Sequence, residues 1–211
     1  MASVDLKWIF YDWYGWNVQL FEVLNTGLPV AAQPLAHVGS ALGSYWAAPF
    51  MLAALALWAR YAQAISPTIS PVKIRLQAYC FGCACLLVLI STSVLKWGLD
   101  FPRPSAALIH SVRVLAPVER SHSFPSGHSV YAALVFAALW PLAGAGFRFV
   151  LVVFLFWVGF ARIAMGAHFP ADVLGGWLVG AGCTAMACAT VANKSAFLRG
   201  ISLDGRTNRQ R

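Results

Sequence analysis

Five long apolar stretches, separated by short polar clusters, set the plan of the chain. They cover roughly 41–59, 76–95, 129–147, 149–166 and 170–191, and each is near the about 20 residues that a helix needs to cross a bilayer. The segment 17–40 is different. Glu22, Asn25, Pro29, Gln33, Pro34 and His37 interrupt it, and such residues are costly at a bilayer centre. It reads as an amphipathic helix lying at the interface and followed by a turn, with a sixth, poor span as the alternative. The opening MASVDLKWIFYDWYGW is crowded with aromatic rings, which suit the headgroup level, where a ring is half wet. It lacks the basic start and unbroken apolar core of a signal peptide. The predicted fold class is all-α: a polytopic membrane bundle of five transmembrane helices, or six, with an N-terminal interfacial helix. Three parts follow: an interfacial segment 1–40, a transmembrane core 41–193 and a basic tail 194–211.

Composition agrees with a membrane reading. Of 211 residues, 60% are apolar and only 10% charged, with a mean hydropathy of +0.69, whereas soluble domains average about 45–50% and about 25%. The length suits one helix bundle without a second soluble domain. Charge then orients it. Arg60, Lys73, Arg75, Arg148, Lys194, Arg199, Arg206, Arg209 and Arg211 fall on one side with a single acid, Asp204. On the other side Lys7, Lys96, Arg103, Arg113, Arg120 and Arg162 balance Asp5, Asp12, Glu22, Asp100, Glu119 and Asp172. The positive-inside rule makes the first side, with the carboxyl tail, cytoplasmic. The net charge of +8 is mostly this bias, an attraction for anionic lipid rather than nucleic acid. Cys80, Cys83, Cys85, Cys183 and Cys188 lie in apolar sequence without neighbouring His or acid. They read as inert small hydrophobes, with neither disulfide nor metal.

The chemistry gathers where spans end. The second span runs outward to Lys96, which opens a loop, 96–127, holding Arg103-Pro104. The third span begins at Pro125-Ser126-Gly127-His128, the fourth ends near Arg162, and the fifth starts from His168, Pro170 and Asp172. Alternating directions bring these ends to one outer face. Taken singly, Lys96 is equally a snorkelling terminus, Arg103-Pro104 an ordinary loop pair, and His168 to Asp172 a helix start with a capping acid. His110 and His122 read as solvated loop histidines. Arg162 stands inside apolar sequence, where arginines face an internal partner or a wet cavity. Together, three cations and the amides at Ser126 and Gly127, the start of a helix, can surround a tetrahedral dianion. Two histidines can divide the work of nucleophile and acid.

Lys96-x6-Arg103-Pro104, Pro125-Ser126-Gly127-His128 and Arg162-x5-His168-x3-Asp172 resemble the three-part signature of the type 2 phosphatidic acid phosphatase family. The small size and amphipathic opening are most similar to its bacterial branch acting on undecaprenyl diphosphate. The family usually has Ser before the third-motif arginine; here Ala161 stands there, which puts one phosphate contact in doubt. The resemblance implies a lipid phosphatase of the bacterial inner membrane, its site facing the periplasm or exterior. His168 would form a phosphohistidine, Asp172 would hold its tautomer, and His128 would protonate the leaving group and then activate water. Lys96, Arg103, Ser126, Gly127 and Arg162 would bind phosphate, with no metal or other cofactor. The implied partners are the bilayer and a membrane lipid phosphate, with undecaprenyl diphosphate favoured. Two alternatives stay open: a phosphotransferase passing the group to a lipid such as lipid A, and, more distantly, a transporter of a phosphorylated solute.

Overall fold

The structure is a computed structural model, and it describes residues 6–65, 69–108 and 112–207. The described residues form helices and short 3-10 turns, with no strand among them. The principal helices are α1 (Leu6–Phe10), α2 (Trp16–Thr26), α3 (Gln33–Leu42), α4 (Ala48–Ile65), α5 (Pro71–Leu99), α6 (Pro104–Ala107), α7 (Gly127–Leu139), α8 (Ala145–Ala164) and α9 (Pro170–Thr207).

The centre of the molecule is α7, whose sequence VYAALVFAAL offers no polar face. A helix apolar on all sides is a buried one, and Ser129 through Val135, with Ala138 and Leu139, are all buried. Its chief neighbour is α9. A Cβ at Gly180 would stand 2.3 Å from the Val130 carbonyl oxygen and 2.8 Å from the Ala133 Cβ, so only glycine lets these two backbones approach as closely as they do. Leu55, Phe81, Leu134 and Leu151 join α4, α5, α7 and α8 in one apolar core. Outward, Leu86, Leu89, Ile90 and Val94 of α5, Phe149, Val153 and Phe156 of α8, and Leu178 of α9 are all exposed. So large an apolar surface marks a face made for lipid or a partner rather than water.

The five predicted spans correspond to α4, α5, α7, α8 and α9. Among the described residues three helices, those starting at Pro71, Ala145 and Pro170, are long and apolar enough to cross a membrane by themselves. A fourth is gained if Val30–Leu42 and Tyr45–Ala62, bent by 47° at their junction, count as one broken span. The third predicted stretch is shorter than its apolar run: α7 and the 3-10 turn after it end at Leu142. Pro141 within that turn lacks the N–H and adds the ring clash that stop a helix.

The segment 17–40 is not one helix and a turn. It folds as α2 and α3 around a 3-10 turn at Val30–Ala32. Of the polar residues that argue against burial, Asn25 is buried nonetheless, because it finds partners, and Asn17 is buried with it. On α2, Asn17, Phe21 and Asn25 share a buried face. Asn25 Nδ2 donates to the carbonyls of Arg113 and Ala164, both at 2.9 Å, and its Oδ1 accepts from the Arg113 amide. Asn17 Oδ1 accepts from the Ala171 amide at 2.9 Å. Helix α3 lies along α8, where Trp157 Nε1 donates to the Leu35 carbonyl. At the other terminus α9 runs unbroken past residue 194 to Thr207. His110 and the last four residues of the basic tail lie outside the described residues.

Candidate active site

Lys96, Arg103, Gly127, His128, Arg162 and His168 line one cavity of about 500 Å³, together with Tyr45, Glu119 and His122. The first six arrive from five helix ends, Gly127 and His128 sharing the start of α7. Lys96 closes α5, and its Nζ donates to the His122 carbonyl at 2.7 Å. Arg103 stands just before α6, buried, with Nε donating to the Ser121 carbonyl and Nη2 paired with Glu119. Arg162, also buried, comes from the last turn of α8; its Nη1 donates to the Ser40 hydroxyl of α3. The Arg162 Nε is buried with no hydrogen-bond partner, an orphan donor beside the cavity that costs stability unless an acceptor arrives.

His168 lies in the short turn between α8 and α9. Gly166 makes that turn with φ of +73°, and a Cβ there would stand 2.5 Å from the Arg113 carbonyl oxygen, so no other residue fits. His168 Nδ1 stands 3.4 Å from Asp172 Oδ2, and Nε2 is 3.4 Å from Arg103 Nη1. Asp172 is fully buried at the third position of α9. Besides His168 it accepts from the Phe169 amide at 2.9 Å, from Tyr11 Oη at 2.8 Å, and from the Ser123 hydroxyl. A carboxylate so placed accepts from Nδ1–H, fixing the proton on that nitrogen, and leaves the Nε2 lone pair directed at the cavity. Burial holds His168 well below the usual imidazole range, against the opposing pull of Asp172, so the ring is neutral. Burial, then the neighbouring Asp172 charge, pushes the Tyr11 phenol up, which keeps it a donor.

The amides of α7 divide differently from expectation. The Ser126 amide donates to the Asp172 carbonyl at 3.0 Å, its hydroxyl accepts from Ser129, and its carbonyl accepts the first helical bond, from Val130. Ser126 is therefore buried between α7 and α9, with its amide already spent on α9. The amides of Gly127, His128 and Ser129 precede the first helical acceptor. Around Gly127 an added Cβ would meet nothing within 4 Å, so the backbone there is open to the cavity.

Ala161 also moves out of the site. It is fully buried with Ala36 and Ala164 against α3, and the hydroxyl beside Arg162 is that of Ser40 instead. His122 is not simply solvated. It pairs with Asp100 at 2.8 Å and leans on Trp97, ring centroids 4.4 Å apart. Tyr11, Ser40, Glu119 and Ser123 escaped sequence reasoning. Ser123 alone carried a signal, two residues ahead of the Pro-Ser-Gly-His run; Tyr11 meets Asp172 across 161 positions.

Comparison with known proteins follows the same residues. A family model described as the PAP2 superfamily matches residues 77–196. The chain is 25% identical over 207 residues to a lipid A 1-phosphatase of Rhizobium johnstonii, covering 85% of this chain and 84% of that protein. It is 37% identical over 86 residues to the undecaprenyl-diphosphatase BcrC of Bacillus subtilis, covering 37% of this chain and 39% of the relative. Among solved structures, LpxE of Aquifex aeolicus superposes with a TM-score of 0.70 at 25% identity, covering 82% of this chain and 94% of that one. With its three motifs drawn around one cavity and more than half its length matched, the chain belongs to the PAP2 superfamily of membrane lipid phosphatases.

Proposed function

We propose that this chain removes the terminal phosphate from a membrane lipid by way of a phosphohistidine at His168. The reading rests on one arrangement above all: a neutral imidazole whose Nδ1 meets a buried carboxylate and whose Nε2 meets a cavity ringed by Lys96, Arg103 and Arg162. Nε2 attacks phosphorus in line and the P–O bond to the lipid breaks; His128, which burial and the neighbouring Arg162 otherwise hold below the usual imidazole range, is protonated beside the phosphate dianion and gives that proton to the departing oxygen. His128, now neutral, takes a proton from water, whose oxygen attacks the phosphohistidine; the P–N bond breaks and inorganic phosphate leaves. Asp172 stabilises the positive ring that forms on His168. The three cations and the Gly127 and His128 amides neutralise the equatorial oxygens, where positioning and charge supply most of the catalysis. Both named relatives are phosphatases, which favours water as the acceptor. These donors carry the charge without a divalent ion.

The lipid A 1-phosphatase matched over most of the chain favours a lipid A 1-phosphate as substrate. A second reading, undecaprenyl diphosphate, keeps the support of the relative matched across the motifs. In either case α4 and α7 cross the bilayer with α5, α8 and α9, the cavity faces the periplasm or exterior of a bacterial inner membrane, and the carboxyl tail is cytoplasmic. The experiment is phosphate release by purified protein from lipid A 1-phosphate, undecaprenyl diphosphate, phosphatidylglycerol phosphate and phosphatidic acid, each with chelator. Turnover of one or more without metal is expected. Strict dependence on magnesium would overturn the metal-free mechanism, and no release from any of the four would overturn the function.

A further inference from the structure

A second concavity, of about 890 Å³, lies between α4 and α5 and shares no lining residue with the catalytic cavity. Its size is that of a site for a small amphiphile, about 300–1,000 Å³. Its walls are apolar, with Leu52, Ala56 and Leu86 along them, and its charged residues are Arg60 and Arg75; none of its lining residues is acidic. Two arginines thus stand at one end of an apolar groove, both exposed. Position along α5 locates that end. Arg75 and Lys96 are 21 residues apart on one helix, which at about 1.5 Å per residue is about 31 Å, the thickness of a hydrocarbon core. With Lys96 at the catalytic mouth, Arg75 falls at the opposite membrane surface.

We propose that this groove binds an anionic glycerophospholipid of the opposite, cytoplasmic leaflet, its phosphate between Arg60 and Arg75 and an acyl chain along Leu52, Ala56 and Leu86. Three features converge on that ligand. The groove is apolar where an acyl chain would lie, cationic at headgroup level, and open laterally to the exposed face of α5. Basic pockets between helices on the cytoplasmic side are sites for anionic headgroups. A free anion would gain nothing from the apolar wall, and a zwitterionic lipid would bring a cation against two arginines. The site is structural or regulatory, since it lies a membrane's thickness from His168.

The test is lipid-dependent thermal stability of the full-length protein in detergent. Dioleoyl phosphatidylglycerol is titrated against dioleoyl phosphatidylcholine, with and without excess inorganic phosphate to occupy the catalytic cavity. Phosphatidylglycerol is expected to raise the Tm saturably where phosphatidylcholine does not, with phosphate leaving the effect intact. R60Q/R75Q should weaken the apparent affinity about thirtyfold, at about fivefold per arginine, while phosphatase activity in detergent is kept. The conservative R60K/R75K should retain most of the response, and K73Q/R148Q, outside the groove, all of it. Equal stabilisation by both lipids, loss of the effect in phosphate, or an undiminished response in an active R60Q/R75Q protein would each overturn the proposal. An inactive R60Q/R75Q protein would itself contradict a site remote from catalysis.

Discussion

Asp172 accepts from Tyr11, Ser123 and the Phe169 amide while facing His168, and this cage fixes which imidazole nitrogen is free to react. Hydrogen bonds to a charged group are each worth about 1.5–3 kcal/mol. Removing Tyr11 Oη loosens the carboxylate without touching substrate, so Tyr11→Phe is expected to lower kcat about tenfold with KM nearly unchanged; a change confined to KM would contradict a positioning role. Glu119 acts in the other direction, since it pairs with Arg103 and competes with incoming phosphate. Glu119→Gln should lower KM two- to fivefold in steady-state assays, and a raised KM would show that the pair aligns Arg103 instead. The neutral state of His168 has a consequence for pH. Its native value lies below its unfolded value, so the unfolded chain binds a proton that the native one lacks as pH falls below about 6.5. Stability should therefore decline from pH 7 to pH 5, with His128, lowered by burial as well, adding to it; His168→Gln should lessen that decline in thermal melts, and an equal decline in the variant would assign it to another group. At this scale the sequence was most informative about motif residues and least about their holders. Ser126 looked like a phosphate donor because a helix start has free amides, yet its own amide is spent on α9. Such a partner is set by packing and has no local signal.

At the level of helices, the site depends on how closely α7 and α9 approach, because one carries His128 and the other Asp172. Gly180 is where that approach is tightest. Gly180→Leu would push against the Val130 carbonyl, and overpacking of this kind typically costs about 1–3 kcal/mol. The expected result is a lower melting temperature and a loss of kcat exceeding that of KM; an unchanged melting temperature would show that the helices can part freely. Apolar runs located α4, α5, α8 and α9 well, since the cost of burying backbone and charge in lipid is written directly in composition. The segment 17–40 was harder to read. Asn25 looked too polar for the bundle, but it and Asn17 hold the ends of α8 and α9 by bonds to backbone more than 80 residues away. The same blindness applies to Ser40, whose hydroxyl stands beside Arg162 where a residue adjoining the arginine would ordinarily provide one.

For the whole molecule, charge and architecture give a single polarity. The cavity with Lys96 and the groove with Arg75 mark opposite ends of α5, and α9 runs from Asp172 at the cavity away to its own carboxyl end, in the first part of the basic segment. A fluorescent protein fused to the carboxyl terminus should fold and fluoresce on the cytoplasmic side, whereas an alkaline phosphatase fused there should be inactive; the reverse pattern would invert the proposed orientation. Alternating span directions predicted that Lys96, His128 and His168 would meet at one face, and all three line one cavity; what no residue pattern disclosed was that Tyr11, Ser40, Glu119 and Ser123 would hold them there. That convergence is the central claim, and trapping the covalent intermediate tests it most directly. Rapid acid-free quenching with ³²P-labelled lipid phosphate should leave base-stable, acid-labile label on His168 and none in His168→Asn. Label that persists in His168→Asn, or turnover by that variant at the wild-type rate, would contradict the mechanism.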